Sequence, residues 1–443
     1  MALHKISRGL DPPLLGEPEQ RIHAARPVSR IALLAGDFQG LKPALRVALG
    51  DTVKRGQPLF EDLSKPGVVH TAPGAGRISA INLDANGNFS SIAIDLSNRE
   101  SPGAIGDDEQ QAFAAYAGKP IPALSRDMVR ALLLESGLWT AFRTRPFGRT
   151  PNPTATPDAI FITAVDTEPL APKPELVVAQ SAEAFDAGLA VLAKLREGAI
   201  FLCVAKDSPI KAGPYSGVSI EQFAGPHPAG TPSVHIHTLY PVDRTESAWH
   251  IGYQDIIRIG VLFKTGKLDV DQIVALAGPA AKSPRLLRTR LGASIAALTE
   301  NELAPDDARI FSGSALAGRA ISPEATAFLG RFHRQIACMN AESLSALQRA
   351  GSGLRRIQGK IAFALPPPLH KILLAGVYRN ALPIVRRPAS LLGALLAGDA
   401  QAAEHLGCLE IDEEDLVLAS LVCPGHTDYA PYLRRVLNVL DTN

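Results

Sequence analysis

Val47-Ala-Leu-Gly-Asp-Thr-Val-Lys-Arg-Gly-Gln-Pro-Leu-Phe-Glu-Asp62 is followed, after a short break, by Thr71-Ala-Pro-Gly-Ala-Gly-Arg-Ile-Ser-Ala-Ile81. Gly50 and Gly56 stand where a reversing chain needs backbone angles that a Cβ penalises. Val53, Leu59, Ile78 and Ile81 lie on short runs between those turns and fill a small β core. The stretch is a set of short strands joined by tight turns.

A Gly-Asp-x-Val-x-x-Gly-x-x-Leu turn followed by Pro-x-x-Gly-x-Ile resembles the barrels of lipoyl and biotin carriers. A carrier presents its lysine at the tip of an exposed hairpin. The nearby lysine here is Lys65, and Pro66 restricts the backbone on its N-terminal side. The expectation is a carrier-like fold without a carrier's chemistry.

The chain has 443 residues, room for roughly two to four domains with cores of their own. It is 46% hydrophobic and 20% charged, and its 45 basic and 44 acidic side chains nearly cancel. That balance argues for an ordinary globular protein and against nucleic acid as a partner. No apolar run approaches the ~18–20 residues of a membrane span. Met1-Ala-Leu-His-Lys-Ile has no apolar core of signal-peptide length. A cytoplasmic protein is expected, attached to membranes only through partners. Cys203, Cys338, Cys408 and Cys423 are scattered, with no Cys-x-x-Cys pair to hold zinc or an iron–sulfur cluster. Cys203 sits in an apolar run and is read as a small core residue.

The chain divides into a polar lead-in (1–26), a carrier-like barrel (27–100), a Rossmann-like α/β domain (101–256), a small β-grasp-like domain (257–327) and a helical C-terminal domain (328–443). A helix from Ser125 to Ser136 stops at Gly137. Ala159-Ile-Phe-Ile-Thr-Ala-Val165 is a buried strand. Ser181 caps a helix carrying Phe185, Leu189, Leu192 and Leu195, and Ala199-Ile-Phe-Leu-Cys-Val-Ala205 supplies the parallel strand. Short strands are then expected at Gln272–Gly278, Arg285–Arg290 and Arg309–Ser312, with a short helix from near Ala293.

Gly313-Ser-Ala-Leu-Ala-Gly318 has Walker-loop glycine spacing but lacks the lysine and the Ser/Thr for magnesium, and is read as a turn, as is Gly351-Ser-Gly353. His227, His235, His237 and His250 cluster in sequence, and on a strand His235 and His237 would face the same way. No third metal ligand follows at a recognisable spacing, so no metal is assigned. Glu410-Ile-Asp-Glu-Glu-Asp415 is read as a solvated helix start. Arg285, Arg288 and Arg290 are read as a surface that meets an acidic partner.

Many phrases together resemble one family, the A subunit of the sodium-translocating NADH:quinone oxidoreductase. They include Arg8-Gly-Leu-Asp11, Gly16-x-Pro-Glu-Gln20, Gly40-Leu-Lys-Pro43, Gly56-Gln-Pro-Leu-Phe-Glu-Asp62 and Pro66-Gly67-Val68. Arg143-Thr-Arg-Pro-Phe147, Ala224-Gly-Pro-His-Pro-Ala-Gly230, Trp249-His-Ile, Tyr253-Gln-Asp-Ile256 and Ala275-Leu-Ala-Gly-Pro279 follow. Arg288-Thr-Arg-Leu-Gly-Ala293, Leu329-Gly-Arg-Phe-His333, Leu406-Gly-Cys-Leu-Glu-Ile-Asp-Glu-Glu-Asp-Leu416 and Cys423-Pro-Gly425 complete the likeness. The stretch from about Cys338 to Arg387 departs from it, being shortened and rich in Pro, Arg and Ala. The order of domains also resembles the flavin-binding subunit of respiratory complex I and the iron–sulfur subunit of the Rnf electron-transfer complex.

The resemblance implies a subunit on the cytoplasmic side of the bacterial inner membrane, peripheral through integral-membrane partner subunits, serving quinone reduction coupled to sodium export. It implies that NADH, FAD, FMN and iron–sulfur chemistry belongs to other subunits, with ubiquinone the substrate and no cofactor bound by this chain. An Rnf-type subunit without clusters, and a scaffold or carrier, are the alternatives. Where the related flavoproteins have a glycine loop, this chain has Gly137-Leu-Trp-Thr-Ala-Phe-Arg-Thr-Arg-Pro-Phe147. Trp139 and Thr140 stand in place of glycines, so the flavin site is expected as a shape without its cofactor. Asp166-Thr-Glu-Pro169 and His227-Pro-Ala-Gly230 preserve two flanking turns. A quinone site is expected there, with Trp139, Phe142 and Phe147 as aromatic wall and Arg143, Arg145 and His227 as donors. The competing expectation is that the aromatics simply plug the old cavity.

Overall fold

The computed structural model describes residues 2–195, 197–215, 217–304, 308–321, 324–344, 375–425 and 427–442, and the elements named below lie within them. Most of the divergent Cys338–Arg387 stretch, with Gly351-Ser-Gly353, lies outside the described residues.

The turn-rich segment builds two small sheets facing each other. One joins Arg30–Leu34, Phe89–Leu96, Gly76–Leu83 and Thr52–Val53; the other joins Pro43–Leu45, Pro58–Asp62 and Val69–Thr71. Gly50 and Gly56 hold φ of +94° and +87°, in the left-handed region that reverses the chain without steric cost only for glycine. Val53, Leu59 and Ile78 are buried between the sheets, while Ile81 is only partly covered. This core continues into Leu276, Leu287 and Ile336 of the β-grasp region. Lys65 lies in the hairpin between Pro58–Asp62 and Val69–Thr71, but folds back on it. Its Nζ is 3.7 Å from Asp62, and its side chain is 11% exposed.

The buried run at Ala159 forms the strand Ala159–Ala164, covered at every position. Ala199–Ala205 pairs parallel on one side and Ala248–Gly252 on the other. Val218–Ala224 and Leu3–Lys5 extend the first side, and antiparallel Arg143–Arg145 closes the second. The chain therefore runs outward from the central strand in one direction, then restarts on its other flank. Such a reversal opens a crevice at the carboxyl ends of the strands.

Helices Ala182–Leu195 and Tyr253–Thr265 cover one face of this sheet. A Cβ on Gly260 would meet the Ala184 carbonyl at 1.8 Å, and one on Gly188 the Ile256 carbonyl at 2.1 Å, so the helices touch backbone to backbone. The helix Tyr253–Thr265 runs across the boundary expected at 256/257. Its isoleucine-rich start, which resembles a strand in composition, is helical because Ile256, Ile259 and Phe263 recur on one face. Helix Arg126–Glu135 follows the N-cap Ser125, whose hydroxyl accepts from the Met128 amide at 3.3 Å. A further helix, Pro174–Gln180, precedes the one expected after Ser181.

The β-grasp sheet orders Arg319–Ala320, Arg309–Ser312, Gln335–Met339, Asp271–Ala277, Arg285–Arg290 and Glu19–Ala24. Two of these strands come from segments read otherwise. The lead-in supplies Glu19–Ala24 here and Leu3–Lys5 to the α/β sheet. Gln335–Met339, from the region expected to be helical, fills the sheet's interior with all five residues buried. A short run buried on both faces has no alternation to betray it. Helices Ala375–Ala381, Pro388–Ala397, Ala400–His405, Val417–Val422 and Ala430–Thr442 then gather around Tyr378, Leu391, Leu416, Tyr429 and Leu433. Among the described residues no single helix is long and apolar enough to cross a membrane.

Candidate functional site

The crevice at the sheet's reversal is the floor of a cavity of about 790 Å³, within the ~300–1,000 Å³ common for ligand sites. Thr163 and Asp166-Thr-Glu168 arrive from the central strand, Gly252 and Gln254 from its neighbour, and His227 and Thr231 from the loop after Val218–Ala224. Gly36 to Gln39 of the barrel, the Gly313–Gly318 turn, Arg331 to Arg334 and the Asp412–Glu414 turn form the other walls. The barrel, the α/β domain, the β-grasp region and the C-terminal segment thus all contribute to one space. The Walker-spaced glycines form a turn, as expected, and that turn lines the cavity.

Charged groups in the walls are mostly paired. Arg334 Nε lies 3.2 Å from Asp166, and Asp166 and its neighbours hold that guanidinium firmly protonated. Arg331 pairs with Asp255 at 2.6 Å. Arg143 stacks on the Phe332 ring, 4.6 Å from its centre. Glu168 accepts from the Ser314 hydroxyl at 2.9 Å and from Gln335 Nε2 at 3.5 Å. Burial, reinforced by the Asp166 charge, pushes its carboxyl up to about 7.

The histidines here are neutral. Burial lowers His227, His250 and His333, the last to about 4. His227 Nδ1 lies 3.3 Å from the Thr167 hydroxyl, and its backbone amide donates to Asp11 at 2.8 Å. Thr163 is 3% exposed, and its hydroxyl has no hydrogen-bond partner among the described residues. An orphaned hydroxyl on a cavity floor is a place for a ligand or water to bond.

Of the residues expected at the site, Arg143 and His227 line the cavity. Trp139 and Phe142 are fully buried and pack with each other and with Trp249, at ring separations of 5.8, 5.4 and 5.7 Å. Trp139 Nε1 donates to the Pro151 carbonyl at 2.9 Å, so the indole is fixed within the core. Both aromatics are filling, with no surface towards the cavity. Arg145 is 0% exposed, held 2.9 Å from Asp412, 3.3 Å from Glu414 and 3.1 Å from His250 Nε2. Phe147 turns towards the C-terminal helices, and its carbonyl accepts from Arg434 at 2.7 Å. The aromatic side chain that does reach the cavity is Phe332. Leu329-Gly-Arg-Phe-His333 contains it, but only tertiary closure carries it there.

Three further expectations change. Glu410–Asp415 is no solvated helix start: Asp412 and Asp415 are 4% and 5% exposed, and Arg145 and Arg434 cover Asp412. His235 and His237 lie on a helix, Pro232–Leu239, not on a strand. His235 packs against Phe223, and His237 Nδ1 meets Glu410 at 2.7 Å. The acidic partners of the three arginines are internal: Glu302 for Arg285, Asp271 for Arg288 and Glu100 for Arg290. Among the described residues no group of three His, Cys, Asp or Glu side chains is placed to hold a metal ion. All four cysteines are buried and free.

Family models match three stretches of the chain. Residues 4–97 match the NqrA N-terminal barrel-sandwich hybrid domain, 124–268 the NqrA second alpha/beta domain and 273–322 the NQRA C-terminal domain. The chain is 44% identical to the Na(+)-translocating NADH-quinone reductase A subunit of Pseudomonas aeruginosa (strain UCBPP-PA14), over 97% of each chain. It is 44% identical to the protein of the same name from Serratia proteamaculans (strain 568), over 99% of each. The chain belongs to this NqrA family. These relatives favour neither an Rnf-type subunit nor a carrier. Among solved structures, a NAD+-reducing NiFe-hydrogenase in its H2-reduced state aligns at a TM-score of 0.42 and 13% identity, covering 76% of this chain and 64% of that one.

Proposed function

We propose that the chain is the peripheral NqrA component of a sodium-translocating NADH-quinone reductase and that its junction cavity receives the quinone headgroup. Membership of the NqrA family supports the first part. The second rests on one observation. The cavity at the sheet's reversal combines an aromatic ring, Phe332, with apolar Leu316 and Leu421 and with donors from Arg143 and neutral His227. A quinone headgroup is flat and apolar, with two carbonyl oxygens that accept hydrogen bonds, so such a wall suits it. Trp139 and Phe142 have no part in that wall.

NADH, FAD, FMN and iron–sulfur chemistry is assigned to the partner subunits. The loop from Gly137 to Phe147 is filled by buried Trp139, Thr140 and Phe142, leaving no glycine-lined backbone to approach a flavin phosphate. Integral-membrane partners would hold the chain at the cytoplasmic face.

Photolabelling the assembled complex with an azido-ubiquinone tests the site. Label is expected on peptides containing Arg143 or Arg331 to Arg334, displaced by excess ubiquinone. Displaceable label confined to other polypeptides would remove the site from this chain.

A further inference from the structure

Within the cavity, Glu168 differs from Asp166, Asp255 and Asp412 in its partners. Asp166 is neutralised by Arg334, Asp255 by Arg331 and Arg258, and Asp412 by Arg145 and Arg434. Glu168 has no cation within ion-pair distance among the described residues; its close contacts are the Ser314 hydroxyl and the Gln335 amide. It sits on the turn leaving the central strand, and lines the same cavity as Thr163, whose hydroxyl is unbonded among the described residues. The charged groups that act on it are Asp166 on its own turn, Arg334 from the β-grasp sheet and Glu414 from the C-terminal turn. Two of these three are carboxylates, and they favour a neutral, proton-bearing Glu168. Arg334 opposes them while already engaged with Asp166.

We infer that Glu168 is the proton donor to an acceptor oxygen bound in this cavity, and that Ser314 and Gln335 hold its carboxyl in place. The inference rests on the quinone reading above and deepens it. Reduction of a quinone by NADH follows Q + NADH + H+ → QH2 + NAD+. The electron pair comes from NADH, the reductant of the family's reaction. As electron density reaches a quinone oxygen, the Glu168 O–H bond breaks and a quinol O–H bond forms. The resulting carboxylate takes a proton from water at the open cavity mouth, and the other quinol proton also comes from water. Asp255 and Asp412 cannot play this part, since their arginine partners hold them ionised, and Asp166 and Glu413 are each engaged by an arginine. A carboxyl that is half protonated near neutrality has the driving force and the occupancy a general acid needs. Ser314 is a positioning residue, acting through the carboxyl and not on the quinone.

Glu168→Gln in the assembled complex removes the transferable proton while preserving shape and the bond from Ser314. Quinone reduction should fall on the order of 10²-fold, with apparent KM for a short-chain ubiquinone within about twofold of wild type. NADH oxidation by ferricyanide, which takes electrons without protons, should not change. The wild-type rate should decline above about pH 7, and the Gln variant should lose that limb. Glu168→Asp, which keeps a carboxyl on a shorter stem, should recover part of the rate and the limb. A Gln variant that assembles, binds ubiquinone and keeps both the rate and the alkaline limb overturns the proton donor while leaving the quinone site intact. Absence of saturable ubiquinone binding to the wild-type chain and complex overturns both.

Discussion

Arg145 and Asp412 meet at 2.9 Å with side chains 0% and 6% exposed, and they join the edge strand of the α/β sheet to the first turn of the C-terminal acidic segment. Asp415 caps the same turn, accepting from the Asp412 amide at 2.8 Å and from the Ser233 hydroxyl at 2.6 Å. Desolvation of both charges makes the pair a poor source of net stability, but a broken pair leaves one charge buried alone. Arg145→Ala or Asp412→Asn should therefore destabilise the chain by on the order of 3–5 kcal/mol. The double variant should lose less than the sum of the two. Chemical denaturation of all three checks this, and strict additivity would show that the residues do not act as a pair.

The acidic turn also sets a pH dependence. Burial and the neighbouring Glu414 push Asp415 up to about 7. The folded state then keeps a proton that the unfolded chain releases near its ordinary value. This contribution to stability is complete below the unfolded pKa and is lost as pH rises through about 7. Asp412 has the opposite sense: Arg145 and Arg434 hold it low, overriding burial, and its contribution fades only in strong acid. The buried neutral histidines act in the opposite sense over the same range but are common to both chains, so the thermal midpoint of the wild type relative to Asp415→Asn should be higher at about pH 5.5 than at about pH 8. A wild-type advantage over the variant that stays level or grows from acid to alkaline pH would contradict it.

Replacing Trp139 or Phe142 by alanine should cost about 3–5 kcal/mol without changing quinone affinity in whatever complex still assembles. Phe332→Ala and Arg143→Ala should do the reverse, weakening quinone binding with little loss of stability. Paired denaturation and binding measurements separate the two kinds of residue.

Gly260→Ala places a methyl 1.8 Å from the Ala184 carbonyl, where only backbone can yield. Helices Ala182–Leu195 and Tyr253–Thr265 must separate, at a cost of about 1–3 kcal/mol. Gly393→Ala, at a helical glycine with nothing within 4 Å of the added atom, is the matched control and should be neutral or slightly stabilising. Equal denaturation midpoints for the two variants would show that the helices have room to spare.

Lys65 should carry no lipoyl or biotinyl group. Its Nζ lies against Asp62 and its side chain is largely covered, so a modifying enzyme would have to unfold the hairpin first. Intact mass spectrometry of the native chain checks this, and a mass raised by either group would restore the carrier reading.

Much of the fold is legible because its strands obey simple patterns. Ala159–Ala164 and Ala199–Ala205 are apolar runs bounded by polar residues, and Arg285–Arg290 and Arg309–Ser312 match the expected limits. Gln335–Met339 is hidden because a strand buried on both faces needs no alternation. Thr231-Pro232 is a helix-start signal for His235 and His237, since proline suits the first helical position. The site is legible in part. Arg143, His227 and the Asp166–Pro169 turn stand out in the sequence, whereas Phe332 and Ser314 become neighbours of that turn only when the β-grasp sheet closes on it. Whether an acidic run is solvated is likewise decided elsewhere, here by Arg145 and Arg434.

Leu3–Lys5 is the edge strand beyond Val218–Ala224, with Leu3 opposite Gln222 and a parallel ladder between them. On a ribosome, Leu3–Lys5 must wait for the long stretch up to Val218–Ala224 before its partner exists. Such a long sequence separation slows closure, because loop entropy is spent before any contact returns it. Glu19–Ala24 waits longer still, for Arg285–Arg290. Both partnerless segments are exposed edges during synthesis, open to pairing with a neighbouring nascent chain. These two strands are thus points of exposure to aggregation in the newly made protein, and a chaperone that covers them would raise the yield of assembled enzyme.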